Sequence, residues 1–239
     1  MKVLRTPDDR FSNLTDYSFE PNYLDVPDSE DGWLRIHYVD VGLNTAEPVL
    51  MMHGEPSWSY LYRKMIPIIT DAGFRAIAPD LVGFGKSDKP SKMSDYTYER
   101  HVNWMQGWLE QVGIDKINLV CQDWGGMIGL RLIANDPDRF SSAIVANTGL
   151  ATGDNPISDA FLNWRKFSLE VDNFDVGSII AMGCKKEVPN NIIAAYNAPF
   201  PDDTYKEGAR IFPSLVPIKP DDPSSQANRN AWKVLSNFS

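Results

Sequence analysis

The sequence predicts an α/β chain in which a mainly parallel sheet is flanked by helices and a helical cap is inserted after a core strand. Three observations predict it. Short apolar runs alternate with helix-patterned stretches as far as residue 148. One run passes straight into a helix through Cys121-Gln122-Asp123-Trp124-Gly125-Gly126. After Thr148 the strand-like texture stops and only helical pieces between Pro-containing loops remain.

The elements follow in order. Residues 35–41 alternate in character and are rich in residues that suit strands; 48–52, 75–78, 116–121 and 142–146 are further strand-like runs. Residues 98–112 place Val102, Met105, Trp108, Leu109 and Val112 at helical spacing, and 125–135 is helical in pattern. Strands separated by helices imply βαβ units, and chemistry in such sheets gathers at the carboxyl ends of the strands. Helical pieces at 160–170 and 190–196 fall in a cap spanning 150–222, and 227–237 reads as a helix returning toward the core. The expected organisation is a core at 1–149, a cap at 150–222 and the start of a returning core segment at 223–239.

Composition narrows the function classes. The 239 residues are 43% hydrophobic and 23% charged, enough to bury a substantial core. A net charge of −9, from 23 basic and 32 acidic residues, argues against nucleic acid, which demands clustered Lys and Arg. No apolar run reaches the about 18 residues of a membrane span, and residues 1–10 hold no apolar signal segment. With Cys121 and Cys184 expected as reduced thiols, the chain reads as cytoplasmic.

The strongest motif is the turn at Asp123. A sharp strand-to-helix turn crowds its flanks, so Cys121 and Gly125 must be small, and Gly126 lets the new helix approach the sheet. The helix N-terminus behind Asp123 stabilises a carboxylate there. An ordinary helix-capping Asp is the bland alternative; the preceding strand and the surrounding motifs disfavour it. A Ser at this position suggests esters as substrates. A carboxylate, already ionised at neutral pH, suggests attack on a saturated carbon to give an enzyme-bound ester.

Two loops support this turn. His53-Gly54-Glu55-Pro56 follows the run at 48–52, and the backbone N–H groups of Glu55 and Trp124 are the expected oxyanion hole. Pro79-Asp80-Leu81-Val82-Gly83-Phe84-Gly85-Lys86-Ser87-Asp88 has the look of a phosphate loop but carries Asp80 where that loop needs Gly, and Asp88 where a dinucleotide fingerprint needs one. His37, His53 and His101 lack metal-ligand spacing, so no metal is expected, and none stands where a catalytic base belongs.

Together these stretches resemble the haloalkane dehalogenase family, in the subfamily that carries His-Gly-Glu-Pro. The matching segments are 53–67, 79–90, 120–129 and 197–213, the last with Ala-Pro-Phe-Pro-Asp-Asp-Thr-Tyr. The resemblance implies an α/β-hydrolase fold whose last core strands are absent from this chain. It implies that Asp123 expels halide from a small halogenated alkane, that the indoles of Trp124 and Trp164 receive the halide ion, and that water then hydrolyses the ester without a cofactor. Phe161, Phe167, Phe200 and Phe212 are candidate pocket walls; Trp58, Trp104, Trp108 and Trp232 are assigned to packing. The family activates its water with a histidine oriented by an acid. This chain ends at Ser239 before both, and the sister subfamily's acid position is Asn147, so a single reaction per chain is expected. Two alternatives stay open: an epoxide hydrolase, which requires two cap tyrosines such as Tyr196 and Tyr205, and a non-catalytic binding protein on the same fold.

Overall fold

The computed structural model describes residues 1–238. The strands are β1 (Val3–Leu4), β2 (Asn22–Pro27), β3 (Trp33–Val41), β4 (Pro48–Met52), β5 (Arg75–Pro79), β6 (Lys89–Pro90), β7 (Ile117–Gln122) and β8 (Phe140–Ala146). The helices are α1 (Met65–Asp71), α2 (Tyr98–Val112), α3 (Asp123–Asn135), α4 (Asp159–Glu170), α5 (Val176–Met182), α6 (Asn190–Asn197), α7 (Glu207–Leu215) and α8 (Ser225–Leu235). The main sheet has the order β2-β3-β5-β4-β7-β8. Its β5-β4-β7-β8 part is parallel, whereas β2 and β3 run antiparallel to their neighbours. A separate two-stranded ribbon pairs β1 with β6.

The apolar runs of β4 and β5 become strands because both of their faces are covered, and β7 buries one face fully. Val49 to Met52, Ala76 to Ala78, and Ile117, Leu119 and Cys121 are all buried. Helix α3 packs on β4, β7 and β8, α2 on β2 and α3, and α1 on β5. Helix α2 presents Val102, Trp104, Met105, Trp108 and Leu109 to the core, and its first turn is capped by Thr97, whose hydroxyl accepts the Arg100 N–H at 3.0 Å. β8 lies at the sheet edge, where Ile144 and Val145 are exposed.

Five elements differ from the sequence expectation. β2 pairs only with β3, as an edge strand, so little of Asn22–Pro27 is buried and no apolar period marks it. Its Pro27 stands at the strand end, where a missing N–H is tolerated. Helix α7 carries Pro213 inside it, and α1 carries Pro67 in its first turn, each of which disguises a helical pattern. The seven-residue α5 is too short to show a period. Helix α3 starts at Asp123, two residues before the expected 125.

The segment that looked like a phosphate loop is a buried polar knot. Asp80 is fully buried and accepts the backbone N–H groups of Ser59 at 2.7 Å and Lys86 at 2.8 Å, with His37 Nδ1 at 2.7 Å. Burial alone drives its carboxyl upward, but the facing His37 and His53 and these donors hold it down to about 2. Lys89 Nζ donates to the Gly85 and Ser87 carbonyls at 2.7 and 3.0 Å. The glycines here turn the chain around Asp80, not around a phosphate.

His101 is the opposite case. It is fully buried among Phe212, Trp104 and Tyr96, with ring centroids 4.5, 4.9 and 5.9 Å away, and neither nitrogen has a hydrogen-bond partner among the described residues. Burial pushes its pKa from 6.5 down to about 3. Below pH 6.5 the unfolded chain takes up a proton that the folded chain refuses until about pH 3, so stability falls as pH drops through that window. Replacing His101→Phe keeps an aromatic ring in the cage and removes both the unpaired nitrogens and this proton linkage. The variant is expected to lose less melting temperature than the parent between pH 7 and pH 4, measured by calorimetry.

Candidate active site

The site is built where β7 ends and α3 begins. Gln122 is still extended, with φ −145° and ψ 155°, and Asp123 turns the chain with φ 52°. A left-handed, non-glycine residue stores about 1–3 kcal/mol of strain and persists only where its surroundings over-determine it. Those surroundings are the adjacent backbones. A Cβ on Gly125 collides with the carbonyls of Met52 and His53 at the end of β4, one on Gly54 with the Asp123 side chain, and one on Gly126 with Thr148. The Thr148 hydroxyl donates to the Asp123 carbonyl at 2.6 Å. The turn is therefore locked between the loops after β4 and β8.

The side chain of Asp123 is held by backbone donors in a mostly apolar place. The backbone N–H of Glu55 donates to its Oδ1 at 2.8 Å, and the N–H of Trp124 also serves the carboxylate. Burial raises the pKa of Asp123, and these two donors pull it back. Glu55 lies beside it. Burial, reinforced by the negative charge of Asp123, pushes the Glu55 carboxyl well above the usual carboxylate range, and its Oε1 has no partner among the described residues. The two environments separate the pair: burial pushes both carboxyls up, and Glu55 further, because backbone donors pull only Asp123 back.

Asp123, Glu55, Trp124 and Trp164 line one cavity of about 390 Å³, whose apolar walls include Met127, Leu150, Phe161 and Val216. Trp124 follows Asp123 on α3; Tyr98 and Phe212 meet its ring edge-on, at 5.0 and 4.8 Å between centroids. Trp164 comes from α4, with Phe167 stacked on it at 5.6 Å. Trp58 and Trp232 donate their indole N–H to the Ala195 and Leu150 carbonyls. Those of Trp124 and Trp164 have no protein acceptor among the described residues, in a cavity shared with a carboxylate.

The other sequence candidates are sorted by the same cavity. Of the four phenylalanines, Phe161 lines it, Phe200 and Phe212 are buried in the core, and Phe167 is 38% exposed. Asn147 lines it at the end of β8, with φ 46°. Tyr196 and Tyr205 do not line it. The histidines lie elsewhere: His37 on Asp80, His101 in its aromatic cage, and His53 with Nε2 accepting the Leu81 N–H at 2.9 Å, which puts its proton on Nδ1 toward the Gly54 carbonyl. Both cysteines are free, Cys121 buried and Cys184 exposed. A larger cavity of about 740 Å³ beside the start of α2 shares Val216 with the first but does not contain Asp123. The bonding role of Trp232 is not legible in the sequence, because a donor aimed at a distant carbonyl leaves no periodic trace.

Known proteins place this geometry in a family. A family model for the alpha/beta hydrolase fold matches residues 47–176. A haloalkane dehalogenase of Psychrobacter cryohalolentis is 59% identical over 238 residues, covering 100% of this chain and 78% of that protein. One from Mycolicibacterium paratuberculosis is 49% identical over 238 residues, covering 100% of this chain and 79% of that protein. The solved tetrameric haloalkane dehalogenase of Paraglaciecola agarilytica superposes with a TM-score of 0.94 at 41% identity, over 100% of this chain and 80% of that one. Identity at this level over the whole chain, on the same fold, makes this protein a member of the haloalkane dehalogenases, hydrolases that act on carbon–halide bonds.

Proposed function

We propose that Asp123 is the nucleophile of this dehalogenase, that Trp124 and Trp164 receive the halide, and that residues 150–222 act as the cap closing the site. The observation that carries the reading is the shared cavity: a buried, oriented carboxylate and two tryptophans whose indole N–H groups have no protein acceptor among the described residues line one mostly apolar space of about 390 Å³. In the first step a carboxylate oxygen bonds to the halogen-bearing carbon and the carbon–halogen bond breaks. The halide leaves with the bonding pair. Indole suits the departing anion because it is a donor without competing acceptor atoms, and low surrounding polarity strengthens the bond. The backbone N–H groups of Glu55 and Trp124 hold the carboxylate for attack, and they are the oxyanion hole when water later adds to the ester carbon. The upward shift of the Glu55 carboxyl favours its neutral form, which spares Asp123 a like charge in its ground state.

The second step needs a base to take the proton of the attacking water. No histidine among the described residues lines the cavity. The proposal therefore names no base for this step and rests on the first one, halide release by Asp123. Haloalkane and water are the substrates of the family reaction. A cytoplasmic setting belongs to the same proposal, supported by the two free thiols and by the fact that no described helix is long and apolar enough to cross a membrane.

Halide measured by ion chromatography after mixing with 1-bromobutane is expected to appear in an initial release that requires Asp123, and an absence of release contradicts the proposal. The initial rate is expected to fall on the acid side at a higher pH than for an ordinary Asp, because burial raises the Asp123 pKa and only its ionised form attacks. Asp123→Asn is expected to lower that rate by more than about 10⁴-fold.

The halide site has its own test. A hydrogen bond to a charged group is worth about 1.5–3 kcal/mol. Trp124→Phe and Trp164→Phe are each expected to weaken bromide binding by about 10- to 100-fold in isothermal titration. Unchanged affinity in either variant removes that indole from the site.

A further inference from the structure

Between β8 and α4 the chain forms the wall of the site without forming secondary structure. No backbone-to-backbone hydrogen bond involves residues 147–157 among the described residues. Three successive carbonyls of this stretch are instead held by side chains of α8. Trp232 Nε1 donates to the Leu150 carbonyl at 2.9 Å, Asn228 Nδ2 to that of Ala151 at 2.6 Å, and Arg229 Nη2 to that of Thr152 at 3.3 Å. Arg229 Nε also pairs with Asp154 at 2.8 Å. Asn228 and Trp232 are four residues apart on the helix, so they rise from one face.

The helix that holds the wall is tied to the helix that carries the nucleophile. Arg131 of α3 is buried and donates to Asn228 Oδ1 at 3.1 Å and to Glu99 at 2.9 Å. Asn228 is itself fully buried, accepting from α3 with its oxygen and donating to the wall with its nitrogen. The wall is also thin. Leu150 and Ala151 line the cavity that contains Asp123, and on their other side they line a second cavity of about 530 Å³ bordered by Arg229 and Trp232.

We propose that the segment 150–154, pinned by Asn228, Arg229 and Trp232, is a partition between these two cavities that limits the length of the alkyl chain the site accepts. Trp232 and Asn228 are then positioning residues for specificity, acting through the wall and not on the reacting atoms. The inference rests on the reading that the cavity around Asp123 takes the haloalkane. With the partition in place, a long alkyl tail meets Leu150 and Ala151. With it loosened or thinned, the tail passes into the second cavity.

The test compares the full chain with Trp232→Phe, which keeps a ring but loses the donor, and with Leu150→Ala, which thins the wall and leaves the α8 bonds in place. Initial halide release is measured for 1-bromopropane and 1-bromodecane, with bromide affinity as a second readout. In both variants the ratio of the long-chain to the short-chain rate is expected to rise by at least about tenfold, with bromide affinity unchanged. If Trp232→Phe fails to fold, Leu150→Ala carries the test. A ratio that stays at the parent value in Leu150→Ala, or rates that fall alike for both substrates, overturns the partition alone. Release of no halide from either substrate by the parent chain overturns the Asp123 reading and the partition with it.

Discussion

Everything at this site depends on one backbone contact: the turn at Asp123 sits so close to the end of β4 that Gly125 has no room for a methyl group beneath the Met52 and His53 carbonyls. That approach follows from β4 and β7 being parallel neighbours that end side by side, with Met52 opposite Cys121. Because the strands end together, the loop after β4 necessarily lies against the turn after β7. The Glu55 N–H then reaches the Asp123 carboxylate without any flexible element between them. The strain of a left-handed Asp is maintained by rigid neighbours on both sides, and it presents the carboxylate to the cavity instead of using it to cap its own helix.

The electrostatics follow from the same crowding. Two carboxyl groups side by side cannot both ionise cheaply in a buried place. The backbone donors serve Asp123, and no donor among the described residues serves the Glu55 Oε1, so Glu55 is the carboxyl pushed further up and Asp123 the one favoured to carry charge. Asp80, equally buried, stays ionised for a different reason, since a ring of N–H donors and His37 surround it. Asp123 is committed to a cavity, and Asp80 to holding the loops after β4 and β5 together. The same residue type thus serves reactivity in one place and rigidity in the other, according to what lies opposite the carboxylate.

The parallel strands and the elbow are readable from sequence because each rests on local chemistry: continuous apolar runs, a pair of glycines, and an Asp between strand and helix. β2 is not readable, because an edge strand leaves its side chains partly in water and loses the apolar signal. α7 is obscured by Pro213, although the buried Phe212 beside it supports Trp124 through its ring edge. The two tryptophans proposed to receive the halide are legible unequally. Trp124 follows from its place beside Asp123, whereas Trp164 lies 41 positions on from Asp123 and its nomination rests on family resemblance. Trp232 is assigned to packing by its residue type, yet it is 46% exposed and acts as a donor to a wall 82 residues away in sequence. Such long-range single bonds are what a pattern-based reading cannot contain.

The central claim is that the carboxylate at the elbow, and no other group, takes the alkyl chain from the halide. Proteolysis of the chain after reaction with 1-bromobutane, followed by tandem mass spectrometry, tests it directly. The account predicts one butyl group, located on Asp123. Bromide release that leaves Asp123 unmodified, or a butyl group carried by another carboxylate, contradicts it.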